Sequence, residues 1–538
     1  MPVLDQWGVD AESGISGVSR RYGAWGARAI MLDGPRMEEE SHKDLNENFR
    51  PAGELEAYFA PFRQMIAGAG ARFRSPCGIQ PILYADWAAS GRMYRPIEEK
   101  LLREFGPYAA NVHSEATATG AAITLSYREA KDIIKKHVHA GPDDILLFCG
   151  NGMTTAVNKL QRMMGLRLPE KWRERLSLQQ QERPVVFVTH MEHHSNHTSW
   201  LETIADVHIV EPGKDGQVDP RKLAEALELY RERPMKIGAF TAASNVTGIL
   251  PPLRELAEVM HRAGGLAFAD WTAAAPVNGL DMHPASPWEK LDAVYFSPHK
   301  FLGGPGSSGV LLLDSRLSAS AVPDHPGGGT VLWTDRWGGR TYVEDMEERE
   351  DGGTPGWVQA VKAALCIRLK ERMGIAALGD RERELTELLL SGLGDIPGIR
   401  ILDGHRKDRL GIVSFYAEHV HFPLFVRLLN DRFGIQSRGG CSCAGTYGHF
   451  LFGLSKEESD KIRKQVEGGI LDRKPGWVRL SIHPVMTDAE IRRIIFAVQS
   501  IAKYANLWGR DYRYDSKNND YVHNRANPKG VPMLTFDI

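Results

Sequence analysis

Short apolar runs recur through the middle of this chain, and their alternation with helical stretches constrains its fold most. The runs are ILLFCG (145–150), VVFVTH (185–190), KIGAFTAAS (236–244), GLAFAD (265–270) and AVYFS (293–297). Each reads as a buried strand. Between several of them lie stretches of helical periodicity, such as TTAVNKLQRMMG (154–165) and LRELAEVMHRAG (253–264). Strands alternating with helices predict an α/β fold with a mostly parallel sheet covered by helices on both faces. Polar residues just past the strand ends are then expected to line one crevice.

At 538 residues the chain is too long for one ordinary domain, so two domains plus extensions are expected. Residues 1–80, rich in Gly, Arg and Glu, read as an N-terminal arm or partly helical extension. Residues 81–356 read as the large domain. Helices at 357–378 (long and connecting) and 381–393 lead into GIVSFYAEH (411–419), a helix near 421–433, WVRLSIH (477–483) and a helix at 487–503. Together these predict a smaller α/β domain over 357–506. Residues 507–538 form a polar, turn-rich tail with no core of their own. A net charge of −2 excludes a global field that would draw the chain to nucleic acid or anionic membrane. No window holds the ~18 uninterrupted apolar residues of a membrane span. The start lacks a basic-then-apolar leader pattern, so a cytoplasmic location is expected. The five cysteines are too sparse for a disulfide framework, and Cys149 and Cys366 read as small core residues.

The strongest local chemical signal is SPHKFLGGPGSSG (297–309). Lys300 follows a strand end by three residues. A lysine amine forms an imine with an aldehyde cofactor, which is how pyridoxal 5′-phosphate (PLP) is anchored. Ser297 and His299 can donate hydrogen bonds to a phosphate, and the glycines allow close backbone approach. Asp270 ends a buried run, where a carboxylate is costly unless it meets a cation such as a protonated pyridine nitrogen. The competing reading makes Asp270 a helix N-cap. In CGNGMTTAVNKL (149–160) a strand turns through glycine into a helix, which makes Gly152, Met153 and Thr154 a phosphate cradle. MEHHSNH (191–197) holds Glu192, His193, His194 and His197, all able to bind metal. It lacks HExxH spacing and a defined ligand set, so no metal is expected. An imidazole stacked on a flat heteroaromatic ring fits this segment better.

Taken together, these residues resemble fold-type I PLP enzymes of the class V aminotransferase group, especially its cysteine desulfurase and selenocysteine lyase branch. YADWAAS (84–90) is similar to the family's opening segment, and Asn111-Val112-His113 is similar to its Asn-x-His segment. Glu192 to Asn196 matches Glu-His-His-x-Asn, which implies that His193 stacks on the ring. Ser244 to Gly248 matches Ser-Asn-x-x-Gly, which implies that Asn245 lies beside the ring oxygen. Asp270 and Ser297 to Lys300 match the aspartate and Ser-x-His-Lys elements. PGGGT (326–330) and GGTP (352–355) resemble segments that complete a phosphate site across a dimer interface, which implies a homodimer and a role for Thr330. The family usually has Gln or His three residues after the aspartate, whereas this chain has Ala273. Within QSRGGCSCAG (436–445) the family's reactive cysteine maps to Cys443, five residues after Arg438. Cys441, two residues earlier, gives an arrangement similar to molybdenum cofactor sulfurases. Arg438 can favour a thiolate. Arg479 matches the arginine that clamps the substrate α-carboxylate. The resemblance spans roughly residues 82–503. It implies an amino-acid substrate bound by Asn111, His113, Arg438 and Arg479, with Lys300, His193 and Cys443 or Cys441 in catalysis. Cysteine would yield alanine and an enzyme persulfide bound for a sulfur-acceptor protein. A class V aminotransferase or another PLP-dependent lyase is the alternative, and a non-catalytic sulfur carrier or interaction protein a remote one.

Overall fold

The computed structural model describes residues 53–525, apart from 174, 177 and 319, together with residue 535. The expected N-terminal extension up to residue 52, and the tail over 526–534 and 536–538, lie outside the described residues.

The apolar runs assemble into one seven-stranded sheet. Its strands are β1 (Asp144–Cys149), β2 (Val185–Thr189), β3 (Asp206–Val210), β4 (Lys236–Thr241), β5 (Leu266–Asp270), β6 (Ala293–Phe296) and β7 (Gly309–Asp314). Their order is β1-β7-β6-β5-β4-β2-β3. The run from β3 to β6 pairs in parallel, and β7 is antiparallel to both β1 and β6. Every residue of β2, β6 and β7 is buried, as a sheet covered on both faces demands. Two strands escaped the sequence reading. β3 lies at the sheet edge, is mostly half-buried, and carries Asp206 and His208 in place of an apolar run. β7 returns directly from the Lys300 loop without a helical crossover, so strand–helix alternation does not predict it.

Parallel pairing sets the ends of β4, β5 and β6 side by side: Thr241 pairs with Asp270, and Asp270 with Tyr295. Turns leaving these ends therefore meet in one place. A second, antiparallel sheet holds β8 (Ile399–Ile401), β9 (Ile412–Ala417), β10 (Arg438–Gly440) and β11 (Trp477–Ser481), in the order β8-β9-β11-β10. Helices Ile375–Gly394 and Phe422–Phe433 pack with this sheet, and helix Asp488–Trp508 packs against both of them. Leu83–Tyr84 pairs in parallel with Ile435–Gln436, and Asp86 bridges to Ser481. The YADWAAS segment is thereby threaded beside β10 and β11.

The described part of the N-terminal extension is partly helical and packs on the rest of the chain. Its helix Glu54–Gln64 buries Phe59 completely, and Glu56 accepts from Arg381, which also bonds Asp488. Past Trp508 the chain forms a hairpin, Tyr512–Asp515 with Asp520–His523. It has no core of its own and leans on helix Phe422–Phe433, where the buried Tyr512 hydroxyl donates to Asp431 Oδ2 at 3.0 Å. Among the described residues no helix is long and apolar enough to cross a membrane.

Candidate active site

The crevice at the strand ends is a cavity of about 180 Å³. Lys300, Asp270, Ser297, His299, His193, Asn245, Met153, Thr154, Arg438, Arg479 and Cys443 all line it. These eleven positions come from both sheets and the loops between them. Lys300 ends the turn Pro298–Lys300 that follows β6. Gly152 precedes helix Met153–Met163 with φ +69°, and a Cβ there would lie 2.6 Å from Ser297 Oγ and 3.0 Å from His299 Cε1. Only glycine keeps that corner open at the helix start, where the dipole favours an anion. Ser297 Oγ accepts from the Met153 N–H at 2.8 Å, which ties the turn of Lys300 to the same helix start.

Burial sets the protonation of this cavity. Asp270 is 3% exposed and accepts from the Thr272 N–H at 3.0 Å. The N-cap-like bond is present, yet burial still raises the carboxyl above its ordinary pKa, and the Lys300 charge only partly offsets this. Such a carboxylate is short of a cation. Burial, aided by the charge of Arg479, brings Lys300 down to about 8. His193 Nδ1 accepts from the Ser195 N–H at 3.1 Å, and burial together with Lys300 lowers the ring to about 3. The same causes bring His299 to about 4. Both imidazoles are neutral, and His193 presents a flat, uncharged ring to the cavity.

The opposite wall is built around two arginines. Arg479 on β11 is 2% exposed; its Nη2 donates to Asp86 Oδ1 at 2.7 Å and its Nη1 to the Asn245 carbonyl at 3.0 Å. Its Nε is buried without a partner. Arg438 stands opposite Arg479 in register, and its Nε donates to Asp86 Oδ2 at 3.3 Å. Asp86 thus orients both guanidinium groups. Its segment, YADWAAS, carries no pattern that marks Asp86 as a partner of two arginines. The Asn245 amide nitrogen donates to the Ser442 carbonyl at 2.7 Å, leaving its Oδ1 buried and unpartnered.

The cysteine loop closes the cavity. Cys443 is exposed and on the lining, whereas Cys441 is half-buried against the core and off it. Asn111, His113 and Thr330 are not brought to the cavity within one chain. Asn111 and His113 sit on an exposed turn before helix Ala118–His137. The Thr330 hydroxyl donates to the Gly327 carbonyl at 2.7 Å, closing its own glycine turn. Ala273 lines the cavity and brings no side-chain donor. Glu192 faces away from it. Its carboxyl accepts from Thr189 Oγ1 at 2.7 Å, the Thr241 N–H at 2.9 Å and Asn196 Nδ2 at 2.7 Å, and burial raises it to about 7. This buried knot fastens the His193 turn to β2 and β4, a role the sequence reading did not assign.

The same burial predicts acid sensitivity. It lowers His137, His190 and His299 to about 4, and His193 and His483 to about 3. Each folded value lies below the ordinary value of about 6.5, so the unfolded chain takes up these protons first. Their contribution to stability is intact above about pH 6.5 and is lost as pH falls toward 4, at up to about 1.4 kcal/mol per proton per pH unit. Glu192 and Glu382, both raised to about 7, and Asp270, also raised, act in the opposite sense. Five histidines outweigh three carboxyls. The urea midpoint is expected to fall between pH 7 and pH 5, and an unchanged or rising midpoint would contradict this reading.

The aminotransferase class-V family model matches residues 83–494, a span that holds both sheets and every residue of the cavity lining. The chain belongs to this family. Members of the class V family use PLP, and the chain is accordingly a PLP-dependent enzyme. It is 29% identical to a probable cysteine desulfurase of Halalkalibacterium halodurans over 372 residues, which cover 68% of this chain and 84% of that one. It is 26% identical to a cysteine desulfurase of Synechococcus elongatus, over 68% of this chain and 55% of that longer one. The cysteine desulfurase CsdA of Escherichia coli superposes with a TM-score of 0.65 at 23% identity, covering 83% of this chain and 98% of that one. The apo cysteine desulfurase of Thermococcus onnurineus NA1 superposes at 0.66 and 20% identity, covering 82% and 98%. The fold of this class V member is that of the desulfurase structures.

Proposed function

We propose that this enzyme is a cysteine desulfurase, converting cysteine to alanine and leaving a persulfide on Cys443. The observation that carries the reading is the thiol of Cys443 on the lining of the cavity that also holds Lys300 and Arg479. The likeness to the named desulfurases supports it.

The cavity fits PLP. The corner that a Cβ at Gly152 would fill, with Ser297, His299 and Thr154 around it, suits the phosphate. Asp270 supplies the negative charge for the pyridine nitrogen, His193 the flat ring for stacking, Asn245 the unpartnered amide oxygen beside the ring, and Lys300 the anchoring amine. The bound cofactor supplies an electron sink for a carbanion at the substrate Cα.

The chain's own residues supply the rest. The Arg479 guanidinium, oriented by Asp86 at Nη2 and the Asn245 carbonyl at Nη1, binds the substrate carboxylate. The Lys300 amine, near pKa 8, removes the proton from the substrate Cα when unprotonated. The Cys443 thiolate attacks the substrate sulfur. The new S–S bond forms as the Cβ–S bond breaks and its electron pair stays with the carbon; Cβ is then protonated, and the protonated Lys300 amine returns its proton to Cα. Alanine leaves, and the persulfide passes to a sulfur-acceptor protein.

In this reading the large domain (81–356) holds the cofactor and the small domain (357–506) presents Cys443. A cytoplasmic homodimer, with Thr330, Asn111 and His113 completing a neighbouring site, is part of the same proposal. Purified enzyme loaded with PLP is expected to release alanine from cysteine without any keto acid. Alanine that appears only when a keto acid is supplied would replace this reading with an aminotransferase.

A further inference from the structure

The backbone that carries Cys443 is strained and held from outside. Ser442 and Cys443 adopt φ of +50° and +58°, two consecutive non-glycine residues in the left-handed region. Such conformations persist only where the surroundings over-determine them. Helix His194–Leu201 of the large-sheet layer supplies much of that restraint. The His194 N–H donates to the Cys443 carbonyl at 2.7 Å, and its Nε2 accepts from the Gly445 N–H at 2.9 Å. One residue therefore grips the loop on both sides of Ala444. A Cβ on Gly445 would come within 3.2 Å of His194 Nε2, so glycine is what lets the two approach. One turn further along the helix, His197 Nδ1 lies 3.1 Å from Thr446 Oγ1.

We infer that His194 is the positioning residue of the cysteine loop, a hydrogen-bond acceptor that holds Cys443 in register with the cavity. His193 and His194 are adjacent and divide the work. His193 presents its ring to the cavity, and His194 grasps the loop that carries the thiol. The helix start that carries the stacking ring also fixes the sulfur, so the two cannot drift apart independently. His194 must accept at Nε2, so its ring acts as a neutral acceptor and not as a cation. The inference rests on the desulfurase reading of Cys443, although the clamp itself can be tested without it.

The test compares two amides of different reach. In His194→Gln the side-chain oxygen lies as many bonds from Cα as the imidazole Nε2 and can still accept from Gly445. In His194→Asn it is one carbon short. Each variant is loaded with PLP, and cofactor absorbance reports an intact cavity. The Asn variant is expected to lose about 10- to 100-fold in alanine release at saturating cysteine, as a misplaced nucleophile does. Its KM for cysteine should stay within about twofold, because the Arg479 clamp is untouched. Amide exchange over 443–446, followed by mass spectrometry, should quicken in the Asn variant. The Gln variant should recover the rate to within about threefold and restore the protection. An Asn variant with undiminished rate and protection, or a Gln variant as impaired as Asn, overturns the inference. If the unmodified enzyme makes no alanine from cysteine, the desulfurase reading fails, and the exchange comparison alone decides the clamp.

Discussion

A Cys443→Ser variant is expected to lose at least about 1000-fold in alanine release from cysteine while keeping its cofactor absorbance. The argument is spatial. The residues that would hold PLP leave the ends of β2, β4, β5 and β6 and the start of helix Met153–Met163, whereas Cys443 sits on a loop next to the antiparallel sheet. The loop can lose its chemistry without disturbing the cofactor. Serine cannot substitute, because its hydroxyl is not ionised near neutral pH and oxygen is a poor nucleophile toward sulfur. Cys441→Ser is expected to be much milder, since Cys441 is half-buried against the core and off the cavity lining. Alanine and trapped persulfide measured for both single variants and the double variant check this. A double variant that still makes alanine at the full rate would show that neither thiol attacks the substrate.

The sequence left the choice between these two cysteines open for a definite reason. In an extended strand, residues two apart share a face, so Cys441 and Cys443 would point the same way. The left-handed backbone at Ser442 and Cys443 breaks that alternation and separates them. Positive φ at a non-glycine residue leaves no mark in composition or periodicity. Lys300, Asp270 and Ser297 were legible because a parallel sheet collects its chemistry at strand ends, and the apolar runs mark those ends. Asp86 was not legible as a partner of Arg479, because 393 residues separate them and only the tertiary fold joins them. The extension over 53–80 read as an arm or partly helical extension because Gly, Arg and Glu dominate it and its periodicity is weak; its helix Glu54–Gln64 nevertheless buries Phe59 fully. Strand β7 starts at the last glycine of a motif read for its lysine and glycines, and its antiparallel return carries no helix to announce it.

Replacing Lys300 tests the other half of the site and should have the larger effect. Lys300→Ala is expected to abolish both turnover and the visible absorbance of covalently held cofactor, because no other lysine lines the cavity among the described residues. Lys300→Arg separates the amine from its charge. Arginine keeps the cation but cannot form an imine, and its pKa above about 12 leaves no neutral form to take a proton at the substrate Cα. Lysine at about 8 does have that form near neutral pH, and burial next to Arg479 is what creates it. The Arg variant should therefore be as inactive as the Ala variant, with turnover down by at least about 10⁴-fold in each. Asp270, Ser297 and the Gly152 corner remain in both variants, so PLP is expected to bind loosely and to be removed by gel filtration. Borohydride treatment followed by peptide mapping checks the anchor: the native enzyme should carry the reduced cofactor on the peptide containing Lys300, and the variants should carry none. Cofactor fixed to a different lysine at native occupancy would move the anchor elsewhere, and the cavity at the ends of β4, β5 and β6 would then lose its claim to be the active site.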